Sequence, residues 1–163
     1  MNPGLLVSRL VLGSLMAAHG AQKLFGWFGG YGVSGTGAFF ETLGFRPGRF
    51  FAATAALAEV VGGLLLVLGL FGPIGSALVL SVMIVAAVGV HWQHGLFAMS
   101  NGIEVPLLYA TGAAALGLTG PGRFSLDAAL GLSSFWTPER VLIVLGIALI
   151  GGVLSLAMRR VPA

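Results

Sequence analysis

The chain has 163 residues, of which 57% are hydrophobic and 8% are charged, and its mean hydropathy is +1.01. A water-soluble domain carries about 25% charged residues, so this composition excludes a soluble globule and predicts an apolar surface solvated by lipid. The net charge of +3 comes without a cluster of Lys and Arg, which argues against nucleic-acid binding. The chain contains no cysteine, which excludes disulfides, thiolate metal sites and a dithiol relay run by this chain.

Five stretches are apolar and long enough, or nearly so, to cross a bilayer as helices of about 20 residues. We therefore predict an all-α polytopic membrane protein, with a four-helix transmembrane bundle and a fifth C-terminal transmembrane helix. The first stretch is expected to be retained rather than cleaved as a signal peptide, because Arg9 interrupts it and no basic region precedes it. The five predicted helices cover residues 5–25, 51–71, 74–92, 103–119 and 141–158.

Two connections are longer than a hairpin requires. Residues 26–49 begin with a glycine-rich run and continue into an aromatic patch, which predicts a short interfacial helix or a re-entrant flap. Residues 120–137 alternate large apolar and polar side chains, as expected of a segment lying on the membrane surface. The chain thus divides into a four-helix membrane region, residues 1–131, and an interfacial segment with the extra helix, residues 132–163.

Ionisable residues lie at membrane depth, where burying each charge costs about 2.5–3.5 kcal/mol. Antiparallel helices place six of them in one leaflet, on the side of the first and third loops, whereas Arg9 lies near the opposite surface. Glu59 is expected to pair with Lys23 or His19, or to be neutral, since a mid-helix carboxylate flanked by small residues must face a partner helix. The six residues are His19, Lys23, Glu59, His91, His94 and Glu104.

Several of these residues also have plain structural interpretations. Lys23 can extend to the interface, as lysines at helix ends do. His94 fits a loop position, and Glu104 fits the first turn of a helix, where the dipole favours an acid. A structural polar clamp around Glu59 therefore remains an alternative to a ligand or proton site.

The same residues occur in motifs that resemble the DoxX family of small bacterial membrane proteins, over about residues 5–131. The motifs are Arg9-x3-Gly13-x5-His19-Gly20-x2-Lys23, Glu59-x2-Gly62-Gly63, His91, Glu104 and Gly120-Pro121-Gly122-x2-Ser125-x-Asp127. The resemblance implies a four-helix bundle similar in outline to membrane thiol–quinone oxidoreductases, and an association with quinone-linked redox chemistry. Because this chain lacks cysteine, a dithiol mechanism is not carried over.

The leading hypothesis is a multi-pass subunit of the bacterial inner membrane, linked to quinone-dependent redox chemistry. It would hold a quinone-like or other amphipathic ligand without a metal, and whether the chain is itself an enzyme stays open. Glu59 and His19 are the candidate catalytic residues, where Glu59 would supply or accept the proton. The candidate ligand-binding residues are Arg9, Lys23, His91 and Glu104.

Three other functions stay open. The first is a non-catalytic scaffold or accessory subunit of a larger respiratory or redox complex, whose partners are other subunits or a second copy. His19 and His91 lie at similar depth and would suit the axial ligands of a haem, which is the less favoured cofactor. A small-solute carrier rests on one weak repeat, residues 68–73 and 116–121. Orientation is also open, since counting positive charges favours a cytoplasmic first loop and the family resemblance favours a cytoplasmic N-terminus.

Overall fold

The computed structural model describes residues 2–160, in which all regular structure is helical. Residue 1 and residues 161–163, the outer ends of the two predicted regions, lie outside the described residues. A π-helical turn, Ala87–His91, extends the fourth α-helix. The α-helices in chain order are α1 (Asn2–Phe25), α2 (Gly32–Thr42), α3 (Gly48–Leu68), α4 (Ile74–Ala86), α5 (Glu104–Thr119), α6 (Leu126–Ala129) and α7 (Pro138–Ala157).

Four of these segments are long and apolar enough to cross a membrane, which confirms the predicted all-α polytopic class. They are Pro3–Phe25, Gly48–Leu68, Ile74–His94 and Pro138–Ala157. The C-terminal helix, expected as an addition to the bundle, is thus one of the four long spans. In contrast, α5 has 16 residues and is about 24 Å long, shorter than the hydrocarbon layer of about 30 Å.

Small residues let α1 and α3 pack with their backbones almost touching. A Cβ atom added to Gly63 would lie 2.6 Å from the backbone nitrogen of Ala17, and one added to Gly20 would lie 2.7 Å from that of Val60. Gly62 of α3 meets Gly75 of α4 in the same way. Small side chains permit such close approach in lipid, where dispersion contacts hold helices together. Small residues therefore line the contact between the first two spans.

The interior of the bundle centres on α4, which packs against α3 on one side and against α5 and α7 on the other. One buried cluster joins α1, α3, α4 and α5 through Met16, Leu66, Val79, Met83, Ala113 and Leu116. A second joins α4 to α7 through Ala77, Leu80, Val141, Leu145 and Ala148. Large apolar side chains elsewhere on the spans are exposed, as expected of helices whose outer faces contact lipid.

The predicted end of the second span at residue 71 is wrong by three residues, because Gly69 ends α3 at Leu68. Gly69 adopts φ 63°, and the N–H groups of Gly69 and Leu70 return to the carbonyls of Leu66 and Leu65. This is a Schellman motif, which glycine favours because it has no Cβ. In the weak repeat of residues 68–73 and 116–121, Gly117 corresponds to Gly69. Gly117 is buried inside α5 and does not end the helix, so the two copies differ in backbone conformation.

Both long connections contain helices. The glycine-rich connection forms α2, which packs against α3 and α1 and confirms the predicted short helix. The second connection contains α6 and a 3₁₀ turn, Leu132–Phe135. Phe124, Leu130 and Phe135 are exposed there, as expected of a surface-lying segment.

Candidate functional site

An ion pair between Lys23 and Glu59 joins α1 to α3 within the membrane-embedded part of the bundle. Glu59 lies eleven residues into α3, about 16 Å from its start, and Lys23 lies in the last turn of α1. Lys23 therefore reaches toward the carboxylate instead of extending to the interface. The pairing predicted from the depth of Glu59 is present, with Lys23 rather than His19 as the partner.

The two members of the pair differ in exposure. Glu59 is 1% exposed, whereas the Lys23 side chain is 28% exposed. Glu59 Oε1 accepts the hydrogen bond from Lys23, and Oε2 is buried without a hydrogen-bond partner among the described residues. A buried carboxylate oxygen left in this state is costly. Glu59 Oε2 can therefore accept a hydrogen bond from one further donor. Lys23 is the member of the pair that is accessible from outside the bundle.

The Lys23 side chain lines a cavity of about 880 Å³ that lies between α2, α3 and α4. Its walls are mainly apolar and aromatic, including Phe40, Phe45 and Phe51. Among residues 2–160, no Asp or Glu belongs to the lining. Glu59 contacts Lys23 but does not itself line the cavity. The polar residues of the lining are Gln22, Lys23, Tyr31, Thr36, Thr54, Ser81, His91 and Ser155.

His91 lines the same cavity and closes the π-helical turn that follows α4. Single π-turns in α-helices frequently mark functional sites. His91 Nδ1 lies 2.7 Å from the carbonyl oxygen of Asn101. Because a carbonyl only accepts, Nδ1 carries a hydrogen, and Nε2 is the acceptor when the ring is uncharged. The structure thus places a donor, Lys23, and the His91 imidazole on one cavity.

His19 lies next to this cavity but does not line it. Its ring is exposed, meets Tyr109 of α5 edge to face at 5.8 Å, and has Nδ1 3.2 Å from Gln22 Oε1. The Gln22 side chain does line the cavity and also donates to the carbonyl of Phe28. His19 therefore reaches the cavity only through Gln22.

Glu104 and His94 both stabilise the third loop. Glu104 Oε2 accepts a hydrogen bond from the Ala98 amide at 2.7 Å, and the Glu104 amide donates to the carbonyl of Leu96. His94 Nδ1 lies 3.2 Å from the carbonyl of Val90. Since the same loop provides the carbonyl that orients His91, the structure gives Glu104 an indirect, positioning relation to the cavity.

Arg9 lies at the other end of α1, about 21 Å from Lys23 along the helix, and is 2% exposed. Its guanidinium donates to four backbone carbonyls, two at the end of α3 and two after α5. The structure therefore uses Arg9 to join these segments, away from the other candidate residues. The acceptors are Leu66, Val67, Pro121 and Phe124.

Asp127 is a structurally important residue to which the sequence motif assigned no role. It is fully buried, and its two oxygens accept hydrogen bonds from the amides of Phe71, at 2.8 Å, and Gly72, at 2.6 Å. Its own amide donates to the carbonyl of Gly69. Asp127 thus fastens α6 to the turn between α3 and α4. The sequence placed Asp127 in the family motif and in a connection predicted to lie on the membrane surface, but neither indicated its contact with the turn between α3 and α4.

Fold and site together define a small polytopic membrane protein in which a buried ion pair joins two spans beside an apolar cavity. The chain belongs to the DoxX family, whose family model matches residues 4–92, more than half of the sequence. The match includes α1 to α4 and His91, whereas Glu104, Asp127 and α7 lie beyond it. No match is found among curated proteins or solved structures. No group of three or more His, Asp or Glu suited to a metal ion occurs in the described part of the chain.

Proposed function

We propose that this protein binds a quinone-like amphipathic molecule in the cavity between α2, α3 and α4, as a subunit linked to quinone-dependent redox chemistry in the bacterial inner membrane. The observation that carries the proposal is the position of Lys23. Lys23 lines a mainly apolar cavity, while its counter-ion Glu59 is buried outside the lining. The cavity therefore offers a hydrogen-bond donor to a ligand whose body is apolar.

The residues fit the head and body of such a ligand. A volume of about 880 Å³ lies within the range of about 300–1,000 Å³ typical of small-molecule sites. The Lys23 ammonium has three N–H donors, of which one binds Glu59, so two can point to ring oxygens. The phenylalanine side chains of the lining suit an aromatic ring and its apolar substituents.

The charged residues have distinct roles in this proposal. A bound quinone supplies electron transfer coupled to protonation at its ring oxygens. Lys23 would donate a hydrogen bond to a ring oxygen, and Glu59, its partner in the ion pair, would hold Lys23 in place. His91 Nε2 would accept a hydrogen bond from a ligand hydroxyl, because its Nδ1 hydrogen is donated to the Asn101 carbonyl. The chain contains no cysteine, so we assign the role of electron donor to a partner protein instead of a dithiol of this chain.

The proposal is tested by identifying the small molecules that accompany the protein through purification in a mild detergent. Ala58 lines the cavity, and the adjacent Leu57 is exposed on the outer face of α3. Ala58→Phe fills the cavity, whereas Leu57→Phe adds an aromatic ring to the outer face. We expect mass spectrometry to find a quinone with the wild type and Leu57→Phe, and to find it lost from Ala58→Phe.

The same preparations distinguish the other functions. A Soret absorption band that disappears in His91→Ala would support haem and contradict the quinone proposal. If the wild type and Ala58→Phe carry the same small molecules, the cavity is not the binding site. If Lys23→Met loses a partner protein while small molecules are unchanged, the scaffold function is supported instead.

A further inference from the structure

The C-terminal helix α7 reaches the cavity, although it lies outside the residues matched by the family model. Ser155, in the last turn of α7, belongs to the cavity lining. Its hydroxyl donates to the carbonyl of Gly151 at 2.8 Å, so the side chain is held against its own helix. Beside it, Leu156 and Phe45 both approach Gly89 of the π-helical turn. The end of α7 therefore contributes to one wall of the cavity.

Arg159, just beyond α7, binds the turn between α2 and α3. Its Nε donates to the carbonyl of Leu43 at 2.9 Å, and its guanidinium lies 5.5 Å from the centre of the Phe45 ring. The backbone amide of Arg160 donates to the carbonyl of Gly44 at 2.8 Å. These carbonyls follow the end of α2, where helix geometry leaves them without partners inside the helix. A cation also suits the negative end of the α2 dipole.

The turn held in this way carries part of the cavity wall. Leu43 and Phe45 line the cavity, and Phe45 is 1% exposed. The Phe45 ring contacts those of Phe40, at 5.7 Å between centres, and Phe51, at 5.2 Å, which also line the cavity. The position of Phe45 therefore sets the positions of the aromatic rings that a ligand would meet.

We propose that the end of α7 is a part of the ligand site, in which Ser155 contributes to the wall and Arg159 is a positioning residue. The proposal rests on the function proposed above, because it assigns α7 a role in binding the same ligand. Arg159 acts through Phe45 and does not itself line the cavity. It follows that a segment outside the matched family region shapes which molecules this chain accepts.

The experiment compares two pairs of variants of the full chain in their binding of decylubiquinone, measured by calorimetry in detergent. Ser155→Phe places a ring in the cavity, and Ala157→Phe places the same ring on an exposed position of the same helix. Arg159→Ala removes the contacts to Leu43 and Phe45. Arg160→Ala removes an equal charge but keeps the backbone bond to Gly44.

We expect binding to be lost in Ser155→Phe and weakened about tenfold in Arg159→Ala, as for one lost charged hydrogen bond. The two control variants should bind within about twofold of the wild type. Hydrogen exchange gives a second reading, in which the amides of residues 43–45 should exchange faster in Arg159→Ala and at the wild-type rate in Arg160→Ala. If Arg159→Ala fails to fold, Ser155→Phe and Ala157→Phe decide the matter.

The outcomes separate the two proposals. If the wild type does not bind decylubiquinone, the quinone function fails, and the role of α7 in it fails with it. If the wild type binds, and Ser155→Phe and Arg159→Ala bind equally well, the role of α7 alone is overturned. Unchanged exchange of residues 43–45 in Arg159→Ala would also contradict the positioning role.

Discussion

Replacing Lys23 with methionine would leave the Glu59 carboxylate at 1% exposure with neither oxygen hydrogen-bonded. Exposed ion pairs contribute about 0–1 kcal/mol to stability. Removing one member of a buried pair costs about 3–5 kcal/mol, because the remaining charge stays desolvated and uncompensated. Since Glu59 is buried, we expect Lys23→Met to lower the free energy of unfolding by about 3–5 kcal/mol.

The assay is reversible unfolding in mixed micelles at neutral pH, with Arg160→Met as the matched control, because the Arg160 side chain is exposed. Arg160→Met should change the free energy of unfolding by less than about 0.5 kcal/mol. The double variant Lys23→Met/Glu59→Leu should recover most of the loss, because a buried pair replaced by apolar residues is often neutral in stability.

A loss below about 1 kcal/mol in Lys23→Met, as for an exposed pair, would refute this reasoning. So would a double variant that is less stable than Lys23→Met. Either result would mean that the buried pair does not hold α1 against α3.

Two further predictions concern packing and the α3–α4 turn. Gly63→Ala should lower the free energy of unfolding by about 1–3 kcal/mol, because the new methyl group meets Gly13 and Ala17. The control Gly146→Ala should be neutral or stabilising, because a Cβ there has nothing within 4 Å. Equal effects of the two variants in thermal unfolding would contradict the close packing of α1 and α3. Asp127→Ala should cost about 2–4 kcal/mol, because two backbone amides lose their acceptor. Asp127→Asn, which keeps one oxygen, should cost less, and a smaller loss in the alanine variant would contradict the assignment.

Four of the five spans were predictable because lipid imposes a simple rule on composition. The remaining stretch, which forms α5, is too short to follow that rule. The Lys23–Glu59 pair could also be predicted from the sequence. Once α1 and α3 are antiparallel, few partners lie at the depth of Glu59. The end of α3 was misplaced because Gly69 follows Gly62 and Gly63, which are helical, and sequence alone does not show which glycine adopts a positive φ.

The cavity was much less predictable. Its lining combines residues far apart in the sequence, from Gln22 to Ser155, and small polar side chains such as Thr54 and Ser81 resemble ordinary helix-packing residues. Arg9 could not be separated from the site by residue type, because an arginine that binds carbonyls and one that binds a ligand look the same in a sequence. The contact of Arg159 with the α2–α3 turn depends on how α7 packs, which composition does not determine.

Lys23 is the single lysine of the chain, so the modification of one side-chain amine reports directly on the site. The decisive measurement is the rate at which an apolar amine-reactive ester labels Lys23, read by peptide mass spectrometry. We predict faster labelling in Glu59→Gln, slower labelling in Ala58→Phe, and protection of the wild type by decylubiquinone. A labelling rate that is indifferent to the ligand and to filling of the cavity would contradict the account.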